Sequence, residues 1–148
     1  MYHFIDWPNE NLPKIAAGVY TVYDAKGKFL YVGMAGAELT ETKIQTKQHS
    51  GKRSGLFDRL NSHASGYRSG DRFNIYIGDL YVLRQLTKFD MQDIASRQLS
   101  FDHLIRKFIR DNLSYKYLVT EYSLVRRLET YIQSNGIDDQ LPFIKPKG

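Results

Sequence analysis

Residues 18–33 read GVYTVYDAKGKFLYVG, two apolar runs on either side of a short polar turn. The runs are rich in Val, Tyr and Phe, which favour strands, and the segment between them contains the glycine typical of a tight turn. The pattern predicts a β-hairpin with strands at 17–23 and 29–32. Tyr20 and Tyr31 fall on the two strands, so we expect their side chains to come together if the register places them on one face.

Further elements follow from hydrophobic periodicity on the C-terminal side of this hairpin. Apolar residues at helical spacing predict a helix at about 55–65, a second one capped by Ser100, and a last one from Ser123 to Gly136. Alternation at 73–77 predicts a third strand, and 115–119 is a further candidate strand. The predicted fold class is α+β, with a small, mainly antiparallel three-stranded sheet flanked by helices.

The remaining segments are predicted to be irregular or extended. Residues 1–14 should form an irregular N-terminal arm that Phe4 and Trp7 hold against the body. Residues 34–54 are polar, contain glycines and lack apolar periodicity, which indicates a long basic loop with at most a single helical turn. The prolines in 141–146 favour an extended tail.

Length and composition indicate one soluble domain that spans residues 1–148. The chain contains no cysteine, which fits a reducing compartment, and its start lacks the basic and apolar segments of a signal peptide. No run approaches the roughly 20 apolar residues of a membrane helix. We therefore expect a cytoplasmic protein with no membrane partner.

The positive charge of the chain is concentrated in one segment. The formal net charge is +5, and residues 43–72 carry seven Lys or Arg against two Asp, which accounts for the whole excess. A polyanion such as DNA would bind such a segment because neutralised phosphates release their counterions. The alternative is a solvated, flexible basic loop. The candidate nucleic-acid-binding residues are Lys43, Lys47, Lys52, Arg53, Arg68 and Arg72.

Three residues outside the hairpin suggest a phosphate site. Arg59 and His63 are four residues apart and share a helical face, where an arginine could hold a phosphate with its fork of donors. Glu129 lies beside the apolar stripe of the last predicted helix, and a carboxylate there suits a hard cation such as Mg²⁺. Taken singly, these features are also explained by packed tyrosines, a solvated helix edge and a surface glutamate paired with an arginine.

Taken together and in order, these residues resemble the GIY-YIG nuclease superfamily. The carrying motifs are GVY at 18–20, YVGMAG at 31–36, Arg59-x-x-x-His63 and Glu129, and they cover most of residues 16–146. The Arg-x-x-x-His spacing is similar to the branch that contains certain restriction endonucleases and stand-alone bacterial relatives. A second candidate triplet, Tyr76-Ile77-Gly78, follows the predicted Arg59 helix, whereas the family places this triplet on the strand beside the first, so we exclude it.

The resemblance implies a metal-dependent endonuclease that hydrolyses a phosphodiester of DNA, with double-stranded DNA as the favoured substrate, by in-line attack of water. The family pattern assigns catalytic roles to Tyr20, Tyr31, Arg59, His63 and Glu129. Glu129 would bind one Mg²⁺ or Mn²⁺, and Arg59 would stabilise the equatorial oxygens of the transition state.

Tyr20 would orient or deprotonate the attacking water in this scheme, and Tyr31 would bind the phosphate or orient Tyr20. A free tyrosine has a pKa near 10, so tyrosinate at pH 7 costs roughly 4 kcal/mol. Cations near the ring would offset that cost, and His63, Lys26 and Lys28 are the candidates. His63 could instead relay a proton.

One position departs from the family pattern. Family members usually carry an asparagine near the C-terminus, and Ile144 or Lys145 stands in its place here. Asn135 is the nearest asparagine, and we expect it to cap the last helix. This departure supports one alternative, a catalytically weakened nucleic-acid-binding module of the same fold. A second alternative is an unrelated α+β structural or interaction protein.

The sequence also leaves substrate recognition and assembly open. Residues 34–54 and 79–98 could read base edges, or could contact phosphates alone, which we favour. The donors available for base reading are Gln45, Lys47, Gln48 and Lys52. The protein could act as a monomer or as a homodimer, and its role in restriction, repair or mobile elements is not specified.

Overall fold

A computed structural model describes residues 1–145, which are arranged around an antiparallel sheet. The strands are β1 (Tyr2–His3), β2 (Ile15–Ala16), β3 (Gly18–Tyr23), β4 (Phe29–Ala35), β5 (Ser54–Gly55) and β6 (Ser114–Val119). The main sheet has the order β1-β6-β3-β4, and β2 and β5 form a separate parallel pair. The predicted α+β class is confirmed, although the main sheet of the described region has four strands where three were expected.

Helices surround this sheet. Within residues 1–145 they are α1 (Glu41–Ser50), α2 (Leu56–Ser65), α3 (Arg72–Ile77), α4 (Lys88–Ala95), α5 (Phe101–Asn112) and α6 (Val125–Asn135). Short turns of tighter or wider helix lie at Phe4–Asp6, Gly78–Val82, Leu83–Gln85 and Tyr122–Leu124. The three helices predicted from apolar periodicity correspond to α2, α5 and α6, and Gly136 ends the last of them as expected.

The two faces of the sheet are covered by different helices. Val22 packs with Leu60 of α2 and Ile109 of α5 on one face, whereas Val19 packs with Val125 of α6 on the other. Every residue of β3 is buried, because this strand lies between β6 and β4 and is covered on both faces. A strand buried on both faces reads as a continuous apolar run, which is the pattern of 18–23.

The predicted hairpin is formed by β3 and β4, and its register decides where the tyrosines lie. Tyr20 is opposite Gly33, and Tyr31 is opposite Val22. Since Tyr20 and Val22 point to the same face, Tyr31 lies diagonally across from Tyr20 on that face. The register therefore places Tyr20 and Tyr31 on one face of the sheet, as the sequence analysis required for the two side chains to come together.

The prediction of a loop over 34–54 is wrong, because β4 continues to Ala35 and Glu41–Ser50 forms helix α1. Thr40 caps the helix by accepting from the Lys43 amide, and Gly51 ends it in the left-handed conformation, with φ 69°. The helix escapes detection by apolar periodicity because none of its residues is fully buried.

The prediction of a strand at 73–77 is also wrong, because these residues belong to helix α3. Phe73 and Ile77 are buried and four residues apart, which is a helical spacing, whereas Ile75 is exposed. Asp71 caps this helix by accepting from the Asn74 amide, and that capping signal outweighs the apparent alternation. Tyr76 therefore lies on a helix and not on a strand.

Both ends of the described chain are attached to the main sheet by backbone hydrogen bonds. Tyr2 and His3 pair with β6, and Phe4 and Trp7 are buried in the core, as their predicted anchoring role requires. At the other end, the amides of Phe143 and Ile144 donate to the carbonyls of Phe29 and Leu30 in β4, and the chain bends at Phe143. Pro146, the last residue of the predicted tail, lies outside the described residues.

Within residues 1–145, no helix combines the length and the apolar character needed to cross a membrane.

Candidate active site

The site is built on the contact between Tyr20 of β3 and Gly33 of β4. The ring of Tyr20 lies directly over Gly33, where a Cβ would collide with the Tyr20 hydroxyl. A glycine at this position thus lets the ring lie across the neighbouring strand. Tyr31 lies on the same face, with its ring centroid 6.3 Å from that of Tyr20. The two tyrosines of the predicted motif are brought together.

His63 reaches this pair from helix α2. Its Nε2 lies 2.7 Å from the hydroxyl oxygen of Tyr20, and the rings of Tyr31 and Phe73 are also near it, with centroids at 6.2 and 4.4 Å. The side chain is only 2 % exposed. The sequence predicted only that His63 shares a helical face with Arg59, whereas the structure buries His63 in the core, facing the sheet.

Asp71 completes the set, and sequence reasoning missed it. The Nδ1 atom of His63 lies 2.7 Å from Oδ2 of Asp71, which also accepts from the Ser62 hydroxyl at 2.7 Å. The other carboxylate oxygen accepts from the Asn74 amide at 3.1 Å. The local signal for Asp71 was its position as the N-cap residue of a helix that includes Phe73. The prediction of a strand at 73–77 left no helix for Asp71 to cap.

Burial sets the protonation of these groups. Burial raises the pKa of Tyr20 well above its ordinary value, and it raises the pKa of Tyr31 to about 12. Burial lowers the pKa of His63, with Arg59 adding to the effect, while Asp71 opposes it. Near pH 7 the two tyrosines are phenols and His63 is a neutral imidazole.

Asp71 is the charged member of the set. Burial raises the pKa of its carboxyl, but the hydrogen bonds from His63, Ser62 and the Asn74 amide outweigh burial and hold the pKa below its ordinary value. Asp71 is thus a buried carboxylate with its donors in place, as a charge inside a protein requires.

Arg59 lies one helical turn before His63 and is exposed. It lines a polar cleft between α2 and the end of β4, together with Glu38, Ser54, Asp58 and Ser62. Its charge lowers the pKa values of both Tyr20 and Tyr31, so it is the cation that acts on the tyrosines. The lysines proposed for that purpose lie elsewhere: Lys26 is exposed in the hairpin turn, and Lys28 lies over the ring of Phe143.

Glu129 approaches the same region from helix α6. It is partly buried, and burial raises its pKa, while Arg126, Arg59 and the backbone of Met34 oppose that rise. Its charge in turn raises the pKa of Tyr31. The charges of Arg59 and Glu129 therefore both act on the tyrosines that converge with His63.

Glu129 is the residue that could hold a metal ion. In residues 1–145, no group of three or more His, Cys, Asp or Glu side chains is placed to bind one. Mg²⁺ often uses one or two protein carboxylates and keeps several waters, so a single partly buried carboxylate such as that of Glu129 fits such an ion.

Neither residue at the expected asparagine position offers a side-chain amide to the site. Ile144 is buried in the core, and Lys145 is exposed. Asn135 is the last residue of α6, and its side chain donates to the carbonyl of Tyr131, so it belongs to the helix end as predicted. A different asparagine, Asn74, lies behind Asp71 and is fully buried.

The predicted nucleic-acid-binding residues differ in their exposure and in the contacts that their side chains make. Lys43, Lys52 and Arg72 are exposed. Lys47 donates to the Ser54 hydroxyl at 3.0 Å, and the guanidinium of Arg53 lies 4.1 Å from the centroid of the Phe57 ring.

Arg68, also predicted to bind nucleic acid, makes an ion pair. Its Nε lies 2.6 Å from Asp102, which would compete with any phosphate.

Comparison with known protein families, curated proteins and solved structures gives no match. The functional argument therefore depends on the side chains and their arrangement.

Proposed function

We propose that this protein is a metal-dependent DNA endonuclease of the GIY-YIG type. The observation that carries the proposal is the convergence of Tyr20, Tyr31 and His63 on one buried point, where the charges of Arg59 and Glu129 also act on the tyrosines. The resemblance of these residues, in type and order along the chain, to the motifs of that superfamily supports the proposal further. Packed tyrosines alone would not require a histidine bonded to one hydroxyl or an exposed arginine beside them.

Arg59 supplies the phosphate-binding group in this proposal. It is exposed in a polar cleft, and its planar fork of donors matches the oxygens of a phosphodiester. During in-line attack, negative charge grows on the equatorial oxygens, and a guanidinium at that point stabilises the transition state more than the substrate.

Glu129 would hold Mg²⁺ or Mn²⁺ in this proposal. When bound, the ion supplies Lewis-acid stabilisation of the phosphate and the leaving oxygen. Burial raises the pKa of Glu129 and so favours its protonated form. Arg126 and Arg59 oppose this effect and favour the carboxylate, which is the form that binds a metal ion.

Tyr20 takes the proton of the attacking water. A stable tyrosinate is excluded near pH 7, because burial raises the pKa of this hydroxyl well above its ordinary value. The neutral imidazole of His63, 2.7 Å from the hydroxyl, offers an acceptor for the phenolic proton. Of the two roles considered for His63, proton relay is therefore favoured over charge compensation.

Double-stranded DNA is the proposed substrate. Lys43 and Lys47 lie on α1, and Lys52 and Arg53 follow it, so the positive charge is grouped on one element next to the Arg59 cleft. Helix α1 exposes most of its polar surface, which would let these cations reach the phosphates of a duplex.

A nicking assay tests the proposal. Wild-type protein should convert supercoiled plasmid to open circles with Mg²⁺ or Mn²⁺ and not with EDTA. Arg59→Ala and Glu129→Gln should lose this activity, while the exposed residue Arg127 provides the matched control Arg127→Ala. Full activity in Arg59→Ala or Glu129→Gln protein would overturn the site assignment.

The second candidate is a DNA-binding module of the same fold without cleavage. The observation that favours it is the tail, where an exposed Lys145 and a buried Ile144 stand in place of the expected asparagine. It predicts salt-sensitive binding of a duplex oligonucleotide with no nicking at any concentration of either metal.

A further inference from the structure

We infer that Asp71 is a positioning residue that holds His63 in the tautomer able to accept a proton from Tyr20, an assignment whose catalytic meaning rests on the proposed endonuclease function. The relation joins three buried side chains through the two nitrogens of one imidazole. Tyr20, His63 and Asp71 are 2 %, 2 % and 3 % exposed.

The two hydrogen bonds of His63 fix its proton. Asp71 is a carboxylate and can only accept, so Nδ1 of His63 must donate to it across the 2.7 Å contact. A neutral imidazole carries one proton, and Nε2 is therefore left with a lone pair. That lone pair faces the Tyr20 hydroxyl at 2.7 Å and accepts from it.

The carboxylate itself is held in place on three sides. The Ser62 hydroxyl and His63 donate to Oδ2, and the Asn74 amide donates to Oδ1. These donors come from two different helices, α2 and α3, so the carboxylate bridges them. Its rotamer is fixed without any contribution from solvent.

The segment between α2 and α3 is shaped so that Asp71 returns to His63. Gly66 ends α2 with φ 75°, and a Cβ there would collide with the backbone of Arg106. The Asn74 side chain then donates to the carbonyls of Ser62 and Tyr67, at 3.1 and 2.8 Å. This buried amide connects the end of α2 to the start of α3, which sets the distance between His63 and Asp71.

Every proton in the proposed hydrolysis step has a donor and an acceptor. As the water oxygen forms its bond to phosphorus, its proton passes to Tyr20, and the Tyr20 proton passes to Nε2 of His63. The phosphorus–oxygen bond to the leaving group breaks with its electron pair, and the leaving alkoxide takes a proton from solvent. His63 becomes an imidazolium beside the Asp71 carboxylate, and later it returns its proton through Tyr20.

Other groups near the ring do not supply this function. Besides Tyr31 and Tyr76, which raise the pKa of a neighbouring tyrosine, the groups that act on His63 or on the tyrosines are Arg59, Asp71 and Glu129. Arg59 disfavours the imidazolium, and Glu129 influences the tyrosines. Among these groups, Asp71 is the one that both bonds the ring and stabilises its charged form.

The decisive variant is Asp71→Asn. Asparagine keeps the cap of α3, since its carbonyl oxygen can accept from the Asn74 amide, so the fold should persist. Its amide group then faces His63 and donates to Nδ1, which forces the proton onto Nε2. That tautomer cannot accept from Tyr20. Asp111→Asn, which makes the same chemical change in a surface pair with Lys107, is the control.

The primary readout is the tautomer of His63, recorded by nitrogen-15 NMR at pH 7.5 and assigned with a His63→Gln variant. The wild type and Asp111→Asn should carry the proton on Nδ1, and Asp71→Asn should carry it on Nε2. A wild-type proton on Nε2, or a tautomer unchanged in Asp71→Asn, would overturn the positioning role.

The second readout is plasmid nicking, where Asp71→Asn should be slower by about 10²–10⁴-fold, the usual range for proton-transfer catalysis. Asp111→Asn should match the wild type. Nicking that survives a switched tautomer would overturn the catalytic role of Asp71. A tautomer switch in a protein that never nicks DNA would overturn the endonuclease proposal and still support the positioning of His63 by Asp71.

Discussion

The hydroxyl of Tyr20 and Nε2 of His63 lie 2.7 Å apart, although the two residues are 43 positions apart in the chain and both are buried. A polar contact at this depth must be satisfied on both sides, because an unpaired buried donor or acceptor costs about 1–3 kcal/mol. The contact therefore has a consequence for stability as well as for chemistry.

Tyr20→Phe should separate these two effects. Removing the hydroxyl leaves Nε2 of His63 without its partner, so the free energy of unfolding should fall by about 1–3 kcal/mol. Nicking should fall by about 10²–10⁴-fold because the proton acceptor for water is removed. Urea unfolding and the plasmid assay measure the two quantities.

Tyr23→Phe is the matched control for that change. Tyr23 lies on the same strand, and its hydroxyl accepts from Thr21 at 3.1 Å on the opposite face of the sheet. This variant should lose stability and keep its nicking rate. Equal rates for Tyr20→Phe and wild type would contradict a role of Tyr20 in proton transfer.

Gly33→Ala should damage the site through sterics alone. The added Cβ collides with the ring and hydroxyl of Tyr20, and overpacking of this kind costs about 1–3 kcal/mol. The displaced hydroxyl can no longer donate to His63, so nicking should fall together with stability. A double-mutant cycle with Tyr20→Ala checks the cause, since the stability cost of Gly33→Ala should shrink once the ring is absent. An undiminished cost would point to a backbone effect.

The hairpin and helix α2 were predictable because their signals are local. Tyr20 and Tyr31 are fixed by alternation along two strands joined by a turn, and His63 is fixed by a four-residue spacing from Arg59. The spacing could not predict that the side chain of His63 is buried. A helix face is buried or exposed according to the sheet it packs on, which is a tertiary property.

Two failures of prediction have distinct physical causes. Helix α1 is held by its caps, Thr40 and Gly51, and an outward polar helix has no apolar period to detect. Helix α3 spans only 72–77, which is too short for strand and helix periods to be told apart. Asp71 was missed for the same reason, because its role as a cap becomes visible only when α3 is recognised.

Acid should destabilise the protein through His63. The pKa of this imidazole is lowered in the folded state, so the unfolded chain binds more protons between that value and about 6.5. The resulting stability is fully present above about pH 6.5 and is lost as the pH falls toward the folded-state pKa.

Urea unfolding of the wild type at pH 7.5, 6.5 and 5.5 measures this effect, with His63→Gln as the reference. The variant should lack the decline, because glutamine does not titrate. The Asp71 carboxyl, whose pKa is also lowered, adds a second loss of stability only below about pH 4. An identical pH dependence in wild type and His63→Gln would contradict a buried, neutral His63.

The salt dependence of DNA binding should distinguish the lysines of α1 from Arg68, which is held in an ion pair. The double variant Lys43→Ala/Lys47→Ala should lower the slope of log K against log salt by about 0.9 for each phosphate that these lysines neutralise. Arg68→Ala should change the slope less, because Asp102 already holds this guanidinium at 2.6 Å. Fluorescence anisotropy with a duplex oligonucleotide in EDTA measures binding without cleavage. Lys107→Ala on α5 is the control, and a slope change there as large as that of the double variant would show that binding follows net charge and not the surface of α1.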